Sequence, residues 1–373
     1  MPLYNEITER GIRLKKILSA LMCVIMLFAA TSCSGTQNTA SEESQSSAAD
    51  TSSQAEAIKE PAGFTVSGTK LLDGYGNEFV MRGVNHAHTW FKDQMDTAIA
   101  GIAATGANTV RIILSDGDQW DKDTRNTIEK IIKRCKQNNL IMVMEVHDTT
   151  GMDDISYLNN AVDYWIEMKD AFIGNEAYII LNIANEWYGS YNNLEKWRDA
   201  YLEAIPKLRE AGIKNTLLVD SAGWGQCYES TLTYANEIFD SDPDKNTMFA
   251  VHMYGTAGKD EGTIKKIIDS AAEKNICLTI GEFGYKHSDG DVDEETVMSY
   301  CTEKNIGYLA WSWKGNGSGV EYLDVAQDWG GTVLSPEWGE PLVNGANGIK
   351  ATSKICSVYA TSESEETSSA DAA

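Results

Sequence analysis

Two glutamates close apolar runs in this chain: Tyr178-Ile-Ile-Leu-Asn-Ile-Ala-Asn-Glu186 and Cys277-Leu-Thr-Ile-Gly-Glu282. Both runs are leucine-rich and β-branched without polar alternation, the pattern of strands covered on both faces. A carboxylate placed where a buried parallel strand leaves its sheet lies on the rim where α/β barrels carry their chemistry. Two facing carboxylates are the minimum apparatus for cleaving a glycosidic bond. Taken alone, Glu186 reads equally well as a helix-start carboxylate favoured by the macrodipole. Its neighbours distinguish the two readings.

All five histidines fall just after predicted strands: His86, His88, His147, His252 and His287. Trp90, Arg111, Asp148, Asn185, Trp187, Trp224, Tyr254, Trp311 and Trp313 collect at the same ends. Such rings either cap a barrel core or form a sugar groove, since flat apolar faces stack on the CH faces of pyranoses. The His86-Ala-His88 pair also suits a metal-dependent amidohydrolase. That reading needs a histidine at the fifth strand and an aspartate at the eighth. The fifth strand ends Val219-Asp220 and the eighth in tryptophan, so no metal and no cofactor is expected. His287 has no motif around it and reads as a loop residue.

The elements that must carry these groups alternate. Candidate strands are 79–84, 109–114, 140–146, 178–184, 216–219, 248–252, 278–281 and 307–311, with amphipathic helices between them such as 124–137, 194–211, 262–273 and 294–304. Ile128, Ile131, Ile132 and Cys135 have the spacing of one helix face, and Ala211-Gly212 is a helix stop. Eight strand–helix units in about 300 residues predict a closed (β/α)8 TIM barrel, with an open doubly wound sheet as the competing arrangement. Turn signals at Gly68 and Asp73-Gly74 predict a short N-terminal β-hairpin plugging the barrel floor.

The chain has 373 residues, and its ends differ from the middle. Arg10, Arg13, Lys15 and Lys16 precede an apolar stretch that closes Ala30-Thr-Ser-Cys33. This reads as a signal segment over 1–33 of the lipoprotein type, with lipidation at Cys33, or else as ordinary secretion with cleavage near Ser32. Residues 34–60 form a Ser/Thr/Glu linker and 360–373 an acidic tail, both too polar to order themselves. Residues 61–359 are left for one catalytic domain. The protein is thus expected outside the cell, tethered to the membrane only through a lipid anchor, and monomeric. A net charge of −24 argues against nucleic acid and anionic membranes as partners and is compatible with a neutral polymer. Excluding Cys23 and Cys33 leaves five cysteines without CxxC spacing, which read mostly as small buried apolar residues.

The runs at the strand ends, taken together, resemble glycoside hydrolase family 5, and within it the bacterial endo-β-1,4-mannanases. The matching runs are Arg82-Gly-Val-Asn-His-Ala-His88, Val110-Arg-Ile-Ile-Leu-Ser115, Glu145-Val-His-Asp148, Asn182-Ile-Ala-Asn-Glu-Trp187, Asp220-Ser-Ala-Gly-Trp-Gly225, Val251-His-Met-Tyr254, Ile280-Gly-Glu-Phe-Gly284 and Leu309-Ala-Trp-Ser-Trp-Lys-Gly-Asn316. The resemblance implies a retaining mechanism on β-mannan, with Glu186 as acid/base, Glu282 as nucleophile and their carboxyls about 5–5.5 Å apart. It implies that Arg111 orients the nucleophile, Tyr254 hydrogen-bonds it, and Asn185 holds the sugar 2-hydroxyl. His147 and His252 line the cleft, with His88 and Trp224 as further binding residues. Trp311 forms the platform under the cleaved sugar, or Trp313 does. An endo-β-1,4-glucanase on the same scaffold stays open, because the two sugars differ only at C2. A catalytically silent glycan-binding lipoprotein is the alternative of another class, and the intact glutamate pair argues against it.

Overall fold

The computed structural model describes residues 60–317 and 319–360. Cys33, the predicted signal and linker up to 59, and the tail beyond 360 lie outside the described residues. Eight parallel strands close a barrel in sequence order. Two short strands precede them, β1 (Thr65–Ser67) and β2 (Lys70–Leu72). The barrel strands are β3 (Arg82–His86), β4 (Thr109–Leu114), β5 (Ile141–Val146), β6 (Ile179–Asn182), β7 (Leu217–Asp220), β8 (Thr247–Met253) and β9 (Leu278–Phe283). A two-residue hairpin, β10 (Lys286–His287) with β11 (Gly290–Asp291), follows, and β12 (Gly307–Ala310) pairs with both β9 and β3 to seal the ring. The open-sheet alternative is thereby excluded.

The helices on the outside are α1 (Met95–Ala104), α2 (Arg125–Gln137), α3 (Ile155–Met168), α4 (Leu194–Glu210), α5 (Tyr228–Ser241), α6 (Glu261–Glu273) and α7 (Glu294–Lys304), with the short α8 (Gly339–Asn344) and α9 (Ile349–Thr352) near the end. Their starts follow capping chemistry. Thr124, Asp260 and Asp293 accept from backbone N–H groups of the first turns of α2, α6 and α7, satisfying donors that the helix itself leaves unpaired. In α2, Ile128, Ile131, Ile132 and Cys135 are buried, as their spacing requires. Gly212, at φ 93°, stops α4 in the left-handed region that glycine adopts without a Cβ penalty. The five cysteines from Cys135 to Cys356 are unpaired and buried.

Strand residues divide by parity into two apolar clusters. Met142, Met144, Leu181, Leu217, Val219 and Val251 pack outward against the helices. Ile141, Val143, Ile180, Leu218, Met248, Ala250 and Leu309 pack together inside with Phe64, Leu71, Phe79 and Met81 from the hairpin region. The hairpin therefore plugs the floor as expected. Phe79 and Met81 belong to this plug rather than to the first barrel strand, which starts at Arg82, three residues later than its apolar pattern suggests.

A buried ion pair ties the α4 end to the β7 and β8 approaches. Arg209 donates from Nε and Nη2 to the two oxygens of Asp242, each at 2.9 Å, with both side chains almost fully buried. Burial pushes Asp242 up, but Arg209 and Thr247 outweigh it and hold its pKa below the ordinary carboxylate value. Arg209→Met should cost about 3–5 kcal/mol, because Asp242 is left buried and unpaired. The depressed pKa makes this stabilisation fully present above the unfolded carboxylate pKa of about 4 and lost as pH falls through the folded value. Urea unfolding of the variant and the parent at pH 7 and pH 3 checks both statements; the difference should shrink at the lower pH.

Candidate active site

Inside the barrel the inward positions change character towards the C-terminal ends of the strands. Above Val143 stands Glu145, above Ile180 Asn182, above Leu218 Asp220 and above Ala250 His252, each two residues on and so on the same face. All four are fully buried. The floor is apolar and the top is a nest of titratable groups.

Arg111 on β4 organises it. Its Nη1 donates to Glu282 Oε1 at 2.8 Å and to Asn85 Oδ1 at 2.9 Å, and its Nη2 donates to Asn182 Oδ1 and Asn185 Oδ1, each at 2.6 Å. Asp220 Oδ2 lies 3.5 Å away and Glu145 Oε1 3.7 Å. Burial opposes the guanidinium charge, yet Glu145, Glu282 and Asp220 hold its pKa above the ordinary value. The other oxygen of Glu282 accepts from the Tyr254 hydroxyl at 2.9 Å. Glu282 is thus aimed by two donors, one on β4 and one just past the end of β8.

Glu186 leaves β6 with φ 47°, a left-handed conformation uncommon for a side chain of its size and typical of functional sites. Its N–H donates to Asp220 Oδ2 at 3.1 Å, which steadies this turn. Its Oε1 lies 2.7 Å from His252 Nδ1. One oxygen from each glutamate and a His252 nitrogen lie within 4.8 Å of one another. Burial dominates the Glu186 pKa and raises it, Glu282 adds to the rise, and His252 opposes it. Burial by itself would depress His252, but Glu282, Asp220 and Glu186 push its pKa up to about 10.

These groups open into a cleft of about 700 Å³, within the range of ligand sites. Trp311 stacks on His147, with centroids 5.6 Å apart and planes 20° apart, and its Nε1 donates to Asn316 Oδ1 at 2.9 Å. Trp90, Tyr191 and Trp224 expose ring surface at the rim. Among the described residues, Glu186, His252 and Glu282 form the only group of three donors close enough for one ion. Arg111, Tyr254 and His252 already contact their carboxylates, which suits proton chemistry better than ion binding.

Sequence comparison decides the family. The profile described as "Cellulase (glycosyl hydrolase family 5)" matches residues 72–317. The chain belongs to glycosyl hydrolase family 5. Among its family 5 relatives, the mannan endo-1,4-beta-mannosidase of Salipaludibacillus agaradhaerens is 53% identical over 80% of this chain and 96% of its own. That of Streptomyces lividans is 43% identical over 80% of this chain and 78% of its own. The β-mannanase of Thermomonospora fusca, solved as a mannohexaose complex, superposes with a TM-score of 0.75 at 40% identity, covering 80% of this chain and 99% of the other.

The family 5 site brings most of the expected residues together and moves others. Glu186, Glu282, Arg111, His147, His252, Tyr254 and Trp311 converge, and Trp224 stands at the rim. Trp313 does not reach the cleft. It is fully buried, and its Nε1 donates to Trp329 O at 2.8 Å. β12 ends at Ala310, so strand alternation no longer puts residues 311 and 313 on one side. His88 is also buried, with Nε2 3.6 Å from Asp123 Oδ1 and Lys92 2.8 Å from the same oxygen. Asn185 has no face on the cleft: Oδ1 serves Arg111, and Nδ2 donates to Thr150 Oγ1 at 2.8 Å, leaving Thr150 on the wall. His287, read as a bare loop residue, lines the cleft with its ring 4.7 Å from Tyr254.

Other groups complete the site. Glu145 and Asp220 are inward-facing acids in the nest, and strand parity is the signal that finds them. Gln226 and Asp289 form a clasp over the cleft: Gln226 Nε2 donates to Asp289 Oδ2 at 3.0 Å, and Gly255 N–H to Asp289 Oδ1 at 3.1 Å. Gly225 sits under His252. A Cβ there would lie 2.5 Å from the imidazole, and its φ of 71° also favours glycine.

Proposed function

We propose that the protein is a retaining endo-β-1,4-mannanase. Glu186 protonates the departing glycosidic oxygen while Glu282 attacks the anomeric carbon from the opposite face, breaking the C–O bond and forming a glycosyl-enzyme. Glu186, now a carboxylate, takes a proton from water, which attacks the same carbon and releases Glu282. The observation that carries the reaction type is the pairing of two buried carboxyls with oxygens within 4.8 Å. So short a distance between nearest oxygens suits direct attack better than the wider separation that an inverting pair needs to seat a water. The raised Glu186 pKa supports the acid role and the Arg111 and Tyr254 donors support Glu282 as nucleophile. Trp311, His147, Trp224 and Thr150 would bind sugar, with Trp311 as the platform.

The identity of the sugar is supported by the relatives, whose names include mannan endo-1,4-beta-mannosidase at 41–53% identity. The glucan alternative has weaker support: a 41% identical relative from Caldicellulosiruptor saccharolyticus carries the double name beta-mannanase/endoglucanase A, but this chain covers only 20% of it, and the likeness to a Thermobifida fusca endoglucanase, at 22% identity and TM-score 0.60, concerns fold alone. The purified protein should release reducing ends from mannan at least ~10-fold faster than from soluble cellulose, a discrimination of about 1.4 kcal/mol. The reverse ranking would replace mannan by glucan. We place the protein outside the cell, tethered through lipidated Cys33, on the pattern of residues 10–33. Cys33→Ser should then move activity from the membrane fraction to the medium, and unchanged membrane activity would contradict the tether.

A further inference from the structure

We propose that Asp220 is a positioning residue for the acid/base: its carboxylate keeps a proton on His252 Nε2, so that Nδ1–H always donates to Glu186 and the acid proton of Glu186 stays on the oxygen that faces the leaving group. The inference rests on the reading of Glu186 as acid/base and goes beyond it in naming what directs the proton.

The two ring nitrogens of His252 face carboxylates on opposite sides. Nδ1 lies 2.7 Å from Glu186 Oε1 and 3.7 Å from Glu282 Oε2, and Nε2 lies 3.6 Å from Asp220 Oδ2. A neutral imidazole satisfies only one side. With its hydrogen on Nε2, the bare Nδ1 would accept the proton of Glu186 and draw it away from the glycosidic oxygen. With its hydrogen on Nδ1, a bare Nε2 lone pair would face the Asp220 carboxylate. The imidazolium alone suits both neighbours: its Nδ1–H donates to Glu186, and its charge faces the Asp220 carboxylate across 3.6 Å, beyond hydrogen-bond reach. Its Nδ1–H then fills Glu186 Oε1, and Oε2 is left to carry the catalytic proton.

Asp220 is built to remain an anion. It is fully buried, and Asn182 Nδ2 donates to Oδ1 at 3.1 Å. The Glu186 N–H donates to Oδ2, and Arg111 Nη2 lies 3.5 Å from the same oxygen. Burial favours its neutral form, but His252, Arg111 and the Glu186 N–H together hold its pKa below the ordinary value. The other charged or titratable groups facing this corner are Glu282 and Tyr254 across the cleft mouth, Glu145 and His147 from β5 and its end, and Tyr201 from α4. Among the described residues, Asp220 is the carboxylate that faces Nε2 from within the barrel and also holds the backbone of Glu186. The same oxygen thus sets the charge of the histidine and the position of the acid.

The test compares the parent with Asp220→Asn, which keeps shape and the acceptor for the Glu186 N–H but removes the charge. Histidine 15N NMR of the parent should show His252 doubly protonated through pH 8, and a midpoint near the ordinary 6.5 would overturn the proposal without any variant. In Asp220→Asn the His252 midpoint should fall into the assay range. The alkaline limb of kcat/KM on mannan should then move down by about one pH unit or more, with kcat down ~10²-fold. Loss on an aryl glycoside with a good leaving group should be much smaller, since that bond needs little acid help. Equal loss on both substrates with an unmoved pH limb would mean that Asp220 is only structural. The NMR arm needs no substrate, so failure of the mannanase reading and failure of this proposal give different results.

Discussion

Replacing Glu282 with alanine is expected to lower kcat on mannan by on the order of 10⁵-fold with the fold intact. The side chain is almost fully buried at the end of β9, and its two oxygens are fixed by Arg111 and Tyr254. Among the described residues, neither of the other two acids around Arg111 can take its place. Glu145 lies deeper and is engaged with His147 Nδ1 at 2.9 Å, and Asp220 faces the other side of Arg111. The guanidinium keeps these two counter-charges after the substitution, so the barrel should not unfold around an unpaired cation. The space left by the glutamate should admit azide. Attack from the face that Glu282 occupied would yield an α-glycosyl azide from a β-mannoside. Residual turnover within ~10-fold of the parent, or rescue that yields the β-azide, would remove Glu282 as nucleophile.

Glu186→Ala should lose about 10²–10⁴-fold on mannan and behave differently in every other respect. Loss should be small at the first step for aryl mannosides whose leaving group needs no proton. The second step lacks its base, so the glycosyl-enzyme on Glu282 should accumulate and be visible as a mass increase of the intact protein. Azide should intercept it from the face vacated by the aglycone and give the β-azide. The parent's alkaline limb, which reports the raised Glu186 pKa, should vanish in the variant. An aryl mannoside and mannan losing activity equally would contradict the acid role. Opposite azide anomers from the two variants would separate the two glutamates more firmly than activity alone.

The barrel could be read from the sequence because its strands are short apolar runs at regular spacing and its helices show clean faces with capped starts. The exceptions have local causes. Phe79 and Met81 are apolar enough to extend a strand, yet they serve the floor plug, and apolarity cannot distinguish a strand from a plug. In the site, residues that end strands were found because position and chemistry coincide there: Glu186, Glu282, His252 and Tyr254. Trp313 and His88 follow points where the chain leaves strand geometry, so alternation no longer predicts their direction. Asn185 reads as a ligand for a hydroxyl, while its Oδ1 accepts from Arg111 and its Nδ2 donates to Thr150. Glu145 lies inside β5 and Asp220 closes β7, where an acid after an apolar run looks like punctuation; only the inward parity shared with Asn182 and His252 reveals them. The clasp from Gln226 to Asp289 joins loops 63 residues apart and leaves no local signal.

The central claim, direct attack by one buried carboxylate of a closely spaced pair, is tested by the anomer formed first. Proton NMR of mannohexaose cleavage, recorded before mutarotation equilibrates the ends, should show the new reducing sugars appearing as the β-anomer and only later drifting to the equilibrium mixture. First appearance of the α-anomer would mean single displacement by water and would contradict the account.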